Sequence, residues 1–343
     1  MIGAAKKLYS RLHSRLPLPA KGMISRALVD LRLKPTVNKG KRGFFKKGVV
    51  VFSADFELAW AYRWSRTVSD PEEPARRERQ QVPQLLKLFA ENDIPVTWAT
   101  VGHLFLSLCQ KNDAGLAHPD MPRPSHFSNE HWKFDSGDWY RRDPGTDLKN
   151  DPCWYAPDLV KLIRKSHVRN EIACHTFSHI DFTYKNCPKE LAVAEIQMCQ
   201  RLAAESCIRL ESMAFPGGTA GNYEALKKSG FICYRKKTPY DIDVPEIDNL
   251  GLVAIPSGQQ LEKDAYGWSA EFHIKKFACI LERADRYGEM CHFWFHPSMD
   301  SGYLKNVLPR LLPLVAEART QGRLEVLTMA ELARRRLTDE LHS

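Results

Sequence analysis

His175-Thr176-Phe177-Ser178-His179 places two imidazoles four residues apart. On a helical turn that spacing puts both rings on one side, where they can share a metal ion. The chain has 12 histidines, so the spacing alone is a weak signal, and hydrogen-bonded or surface histidines explain it equally well. A second pair, His292 and His296, falls in an expected strand, where residues i and i+4 share a face but stand about 13 Å apart. They are poor joint ligands, and His292 reads as structural. Ala54-Asp55-Phe56-Glu57 offers two carboxylates just past a short apolar run. Such acids can divide two roles, one completing a metal's ligand set and the other accepting a proton from the water that the metal activates. They can equally be solvated acids capping the next turn.

These residues need elements to carry them. From Val49 the chain alternates short apolar runs with amphipathic segments. Strands are expected at Val49–Ser53, 95–100, 170–174, 210–215, 231–235, 291–295 and 324–327. Helices are expected at 75–92, 156–166, 188–206, 222–229, 270–287, 302–320 and 328–337. Repeated βα units imply a parallel sheet, and about seven strands suggest a barrel. Working residues of β/α barrels sit at the C-terminal ends of strands. Asp55, Glu57, His175, His179, the Pro216-Gly217-Gly218 turn and His296 all fall there. Thr219 and Asn222 mark the start of a helix. Residues 113–155 break the rhythm and read as a long inserted loop. Its Trp132, Trp139, Tyr140, Trp154 and Tyr155 fit a substrate lid or anchors to the barrel equally well. Trp268 lines the pocket or packs in the core, and Cys174 reads as a core thiol.

Ser53-Ala54-Asp55-Phe56-Glu57, His175-Thr176-Phe177-Ser178-His179, Phe215-Pro216-Gly217-Gly218 and Trp294-Phe295-His296 occur in this order. Together they resemble a divergent branch of the polysaccharide deacetylase superfamily, the NodB and carbohydrate esterase family 4 type, over about residues 48–335. The resemblance implies an α/β fold, a distorted (β/α)7 barrel. It implies one divalent metal ion, commonly Zn2+, held by an acid and two histidines, and hydrolysis of an N-acetyl amide on an amino sugar. Carried onto this chain, His175 and His179 are metal ligands, and Asp55 is the catalytic base. Glu57 is the third ligand, with the reverse assignment of the two acids still open. His296 is the general acid toward the leaving amine. A backbone N–H of the Pro216–Gly218 turn would stabilise the oxyanion. One position departs from the pattern. The arginine expected two residues before Pro216 is Ala214, so a cation for Asp55 must come from Arg209, Arg235 or Lys236.

Composition sets limits on the setting. The hydrophobic fraction is 43% and no apolar stretch is long enough to span a bilayer. Residues 1–47 carry 13 Lys or Arg against one acid, Asp30, while the whole chain carries +9. The charge therefore belongs to an N-terminal basic arm rather than to the domain at 48–343, which argues against a nucleic-acid binder. Leu8, Leu12, Leu16, Ile24, Leu28 and Leu31 recur at roughly helical spacing, so the arm is either a solvated tail or a peripheral contact with an anionic membrane. Lys6 and Lys7 are followed by no apolar signal core, and the nine cysteines show no paired framework. The expectation is a cytoplasmic enzyme of bacterial glycan biosynthesis acting on an N-acylated sugar, nucleotide- or lipid-linked, at the inner face of the membrane. The alternatives are an amidase for a non-sugar amide or ureide, and an inactive glycan-binding relative.

Overall fold

The computed structural model describes residues 31–38, 42–263 and 269–341. Most of the basic arm and Trp268 lie outside the described residues. In chain order the strands are β1 (Gly48–Phe56), β2 (Thr97–Thr100), β3 (Phe127–Ser128), β4 (Lys133–Phe134), β5 (Glu171–Cys174), β6 (Ser212–Met213), β7 (Cys233–Lys237), β8 (Ile242–Asp243), β9 (Glu246–Ile247), β10 (Val253–Ser257), β11 (Gln259–Gln260), β12 (Met290–Phe295) and β13 (Leu324–Leu327). The helices are α1 (Glu72–Glu91), α2 (Pro157–Lys165), α3 (Lys189–Glu205), α4 (Tyr223–Lys228), α5 (Ala270–Tyr287), α6 (Ser301–Asn306), α7 (Leu308–Thr320) and α8 (Met329–Leu341). The helix expected over 302–320 is two helices. Pro309, lacking an N–H, sits in the first turn of α7, where that loss costs little. The inserted segment contains the small antiparallel pair β3–β4. Among the described residues no helix is long and apolar enough to cross a membrane.

Parallel pairing runs β12–β1–β2–β5–β6–β7–β10. The two ends of this path meet. β10 passes through Gly258 into β11, which pairs parallel with β12, and the Gly258 N–H donates to His292 O at 3.2 Å. Seven parallel strands thus form the expected distorted barrel. It is parted at the N-terminal ends of its strands, where β9 pairs antiparallel with β10 and β8 with β12. β13 adds to the start of β1 on the edge that β2 occupies further along.

Alternation along β1 explains the interior. All nine of its residues are buried, as a strand covered on both faces requires. Val50, Phe52, Ala54 and Phe56 pack with the helices, while Val49 and Val51 join Cys233, Val253, Ile255, Met290 and Leu327 inside the barrel. The period of two then turns Ser53 and Asp55 inward above that apolar layer. The same rule turns Arg235 of β7 and His292 of β12 inward.

Gly258 is where β10 leaves β7 for β12. A Cβ there would lie 2.1 Å from Tyr240 O and 2.9 Å from the Asp241 Cα. Gly258→Ala is expected to cost about 1–3 kcal/mol, because the obstacle is backbone. A urea denaturation midpoint equal to wild type would remove Gly258 from the closure of the barrel.

Candidate active site

Asp55 lies within β1 rather than after it, and Glu57 is the first residue past the strand. Glu57 precedes a 3-10 turn, Leu58–Ala61, and its side chain caps nothing. The carboxylate instead turns to the histidines. Glu57 Oε1 is 2.9 Å from His175 Nε2 and 3.1 Å from His179 Nε2. His175 Nδ1 donates to Ala214 O at 2.8 Å, which directs the lone pair of Nε2 toward the shared centre. Among the described residues His179 Nδ1 is buried without a hydrogen-bond partner, so this ring lacks the orienting contact that Ala214 gives His175.

The two histidines do not share a helical turn. Residues 175–179 form a loop in which Thr176 (φ 60°) and His179 (φ 52°) take left-handed conformations. The reason lies in what grips the loop. Glu195 of α3 accepts from Ser178 N at 2.8 Å and from Ser178 Oγ at 2.6 Å, and Thr176 Oγ1 accepts from Ile180 N. The Gly102 and His103 N–H groups donate to Thr176 O and Phe177 O. Convergence of the imidazoles therefore depends on tertiary contacts and not on helical periodicity.

Of the three candidate cations, Arg235 reaches Asp55. Its two terminal nitrogens donate to Oδ1 and Oδ2, each at 2.6 Å, and its guanidinium lies over the Trp294 ring at 5.1 Å. Arg209 and Lys236 pair with Glu211 and Glu246 instead. Ala214 joins Ala99 and Ala173 in a small interior cluster, so that wall of the barrel contributes only methyl groups. The cation for Asp55 thus comes from β7 rather than from the position before Pro216. Arg235 also donates to Ser53 Oγ at 3.1 Å, and Ser53 Oγ lies 2.8 Å from His292 Nε2. Burial and the Arg235 charge push His292 down to about 3, so it is a neutral ring that donates from Nδ1 to Pro256 O. The reading of His292 as structural fits this place.

Burial alone would raise the pKa of Asp55, but Arg235, His175 and His296 hold it below the ordinary carboxylate range. Burial likewise opposes the Glu57 charge, yet His179, His296 and His175 hold its carboxyl well below the usual value. Burial lowers His179, whereas in His175 the carboxylates of Asp55 and Glu57 outweigh burial and raise it. Glu78 lies beneath, accepting the Glu57 N–H at 2.9 Å. Its burial, with the charge of Glu57 nearby, raises it well above the usual value. Glu78 thereby positions the turn that carries Glu57.

His296 lies at the rim, one-third exposed, with Nε2 4.0 Å from Asp55 Oδ2 and 3.9 Å from Glu57 Oε2. It borders a cavity of about 500 Å³ whose wall includes Glu57, His179, Trp132, Gly217 and Gln260. Gly217 (φ 57°) tolerates no Cβ, which would lie 2.9 Å from His131 Cδ2 and from Trp132 Cη2. Within the turn, Pro216 has no N–H and the Gly218 N–H donates to Phe215 O, which leaves Gly217 as the donor that the turn can offer to a ligand. Trp132, Trp139, Tyr140, Trp154 and Tyr155 are all buried, so they anchor the insert. Trp132 alone of these lines the cavity, edge-on to His179 with ring centroids 5.5 Å apart. Asn222 precedes α4 but makes no capping hydrogen bond; its amide holds Phe182 O and Cys187 O.

Two imidazoles and one carboxylate with converging donor atoms fit a divalent cation, and three protein ligands leave positions open for water and substrate. Glu78 and Glu195 escape motif reading, yet each had a signal. Each is an acid on the apolar face of its helix, among Val82, Leu85 and Phe89 in one case and Leu191, Ile196 and Cys199 in the other.

The sequence matches no protein-family profile and no curated protein. Solved structures do match. A chain described as a "putative polysaccharide deacetylase" from Mycobacterium smegmatis aligns over 88% of this chain and 93% of its own, with 14% identity and a TM-score of 0.57. A "probable Polysaccharide deacetylase" from Pseudomonas aeruginosa PAO1 aligns over 83% and 89%, with 13% identity and a TM-score of 0.55. The chain therefore has the polysaccharide deacetylase fold. At this identity the likeness establishes the fold, and the chemistry must be argued from the residues.

Proposed function

We infer that this chain is a metal-dependent hydrolase that removes an N-acetyl, or other N-acyl, group from an amino sugar. The observation that carries the reading is the convergence of Glu57 Oε1, His175 Nε2 and His179 Nε2 beside an ion-paired Asp55 at the cavity. Glu57, His175 and His179 would hold a divalent cation, with Zn2+ suited to this donor set, and its Lewis acidity would lower the pKa of water and polarise the amide carbonyl. Asp55, kept ionised by Arg235, accepts the proton of the attacking water; a carboxylate bound by two N–H groups retains lone pairs for this. The Gly217 N–H serves the developing oxyanion from the cavity wall. His296, open to the cavity, donates a proton to the departing nitrogen. Trp132 and Gln260 border the space that the sugar would occupy.

The fold's solved relatives carry the name polysaccharide deacetylase, which favours a sugar amide over other amides. Of the two substrate types, a sugar nucleotide and a polyprenyl-linked sugar, the charge of residues 1–47 favours the second, because it would keep the enzyme near anionic lipid. Acetate release from a panel of both substrate types is expected for at least one N-acetylated sugar. Release only from non-sugar amides would move the chain to the amidase reading, and no release with metal bound would leave a glycan-binding relative. His296→Ala should lower amide hydrolysis about 10²–10⁴-fold. It should barely affect an aryl acetate, whose leaving group needs no proton. Equal losses on both would remove His296 from the role of acid.

A further inference from the structure

A second set of donor atoms lies where the insert meets the barrel. His103 belongs to the 3-10 turn Gly102–Phe105 after β2, while Cys109, His118 and Asp143 lie further along the chain. One atom from each falls within 4.8 Å of the others. His118 Nε2 and His103 Nε2 lie 2.9 Å and 3.1 Å from the same Asp143 Oδ2, and the two nitrogens are 3.1 Å apart. Cys109 Sγ is 3.2 Å from Asp143 Oδ1. His103, Cys109 and Asp143 are buried, and the His118 side chain is 11% exposed.

The imidazole protons bear on what these atoms can bind. His103 Nδ1 is 3.2 Å from Trp154 O, and a carbonyl can only accept, so the ring's proton is on Nδ1. The Nε2 lone pair then faces both a carboxylate oxygen and the other imidazole. A proton on His118 Nε2 bridges to one of these atoms, whereas a metal ion in its place would bind both imidazoles and the carboxylate at once. Donors spaced roughly 3.3 Å apart are the corners of a tetrahedron whose centre lies about 2.0 Å from each, the length of a Zn–N bond. A histidine whose other nitrogen donates to a backbone carbonyl is the usual second layer of such a site.

We propose that His103, Cys109, His118 and Asp143 form a second, structural metal site that takes Zn2+ and pins the insert to the barrel. Two imidazoles, a thiolate and a carboxylate complete a closed four-ligand set with no position left for substrate. Binding displaces the Cys109 proton to solvent, so affinity falls with falling pH. Regular secondary structure orders little of the insert's backbone, since β3 and β4 are two residues each. The site also backs the catalytic loop. Phe177 packs against the rings of both His103 and His118, and the His103 N–H donates to Phe177 O at 3.0 Å.

The full chain, stripped of metal and reduced, should take up two equivalents of Co2+. One should give a thiolate-to-cobalt charge-transfer band, because Glu57, His175 and His179 include no sulfur. Cys109→Ser should abolish the band and one equivalent, while His175→Ala should keep the band and lose the other. Zinc-edge absorption on the wild type tests the same point without mutation and should show a sulfur scatterer at about 2.3 Å. One equivalent with sulfur in the shell would support this site and sink the catalytic triad; one equivalent without sulfur would do the reverse. A band that survives Cys109→Ser would also overturn the proposal.

Discussion

His175→Ala is expected to lower kcat/KM for amide hydrolysis by at least about 10³-fold, some 4 kcal/mol of transition-state stabilisation. The size follows from the geometry. His175 is the best-oriented ligand of the three, with Nδ1 locked to Ala214 O and Nε2 2.9 Å from Glu57 Oε1. Removing it leaves two donors, one of them the less constrained His179. It also leaves the Glu57 charge buried with one imidazole fewer to balance it. Metal analysis of the purified variant should find one equivalent lost relative to wild type, and Zn2+ should raise its thermal midpoint less. Glu57→Gln preserves the shape and removes only the charge, so it separates ligation from packing. Activity within tenfold of wild type for His175→Ala would sink the metal assignment at this triad.

How far such a site can be read from sequence depends on which contacts build it. The barrel was legible because its strands are apolar runs between amphipathic helices, and because β/α units allow few arrangements. The rim residues were legible as strand ends. The His175–His179 pair could be found by its spacing, but for the wrong local reason. Helical geometry was the natural expectation, and the loop instead takes two left-handed residues held by Glu195, which lies 16 residues beyond His179. Long-range side-chain contacts of that kind leave no periodic trace. The closure through Gly258 was invisible for a related reason, since a two-residue strand such as β11 has too few residues to show a pattern. The cluster of His103, Cys109, His118 and Asp143 was hidden too. Its members are separated by 5, 8 and 24 residues, unlike the short ligand spacing of a zinc ribbon.

The partner of Asp55 offers the sharper test, because sequence narrowed it to three residues and geometry selected one. Asp55 is buried, Arg235 is partly so, and the two share two 2.6 Å hydrogen bonds. Arg235→Met should therefore cost about 3–5 kcal/mol of stability at neutral pH, since it strands a buried carboxylate. The sign with pH follows from the Asp55 pKa. In the wild type it is depressed, so the pair contributes stability above the unfolded value near 4, and that contribution disappears as pH falls through the folded value. In the variant burial acts without its largest opponent and the pKa rises. The stability difference between the two proteins should then shrink as pH falls toward 4, and the acidic limb of kcat/KM should move to higher pH. Arg235→Lys keeps the charge without the two-pronged contact and should fall between. Adding Asp55→Asn to Arg235→Met removes the stranded charge and should restore much of the stability while activity stays lost. Denaturant titrations at neutral and acidic pH, beside the pH profile, measure all of these. A variant whose stability deficit is independent of pH would show that Arg235 supports the barrel by packing alone, and Asp55 would then need another source for its ionised state.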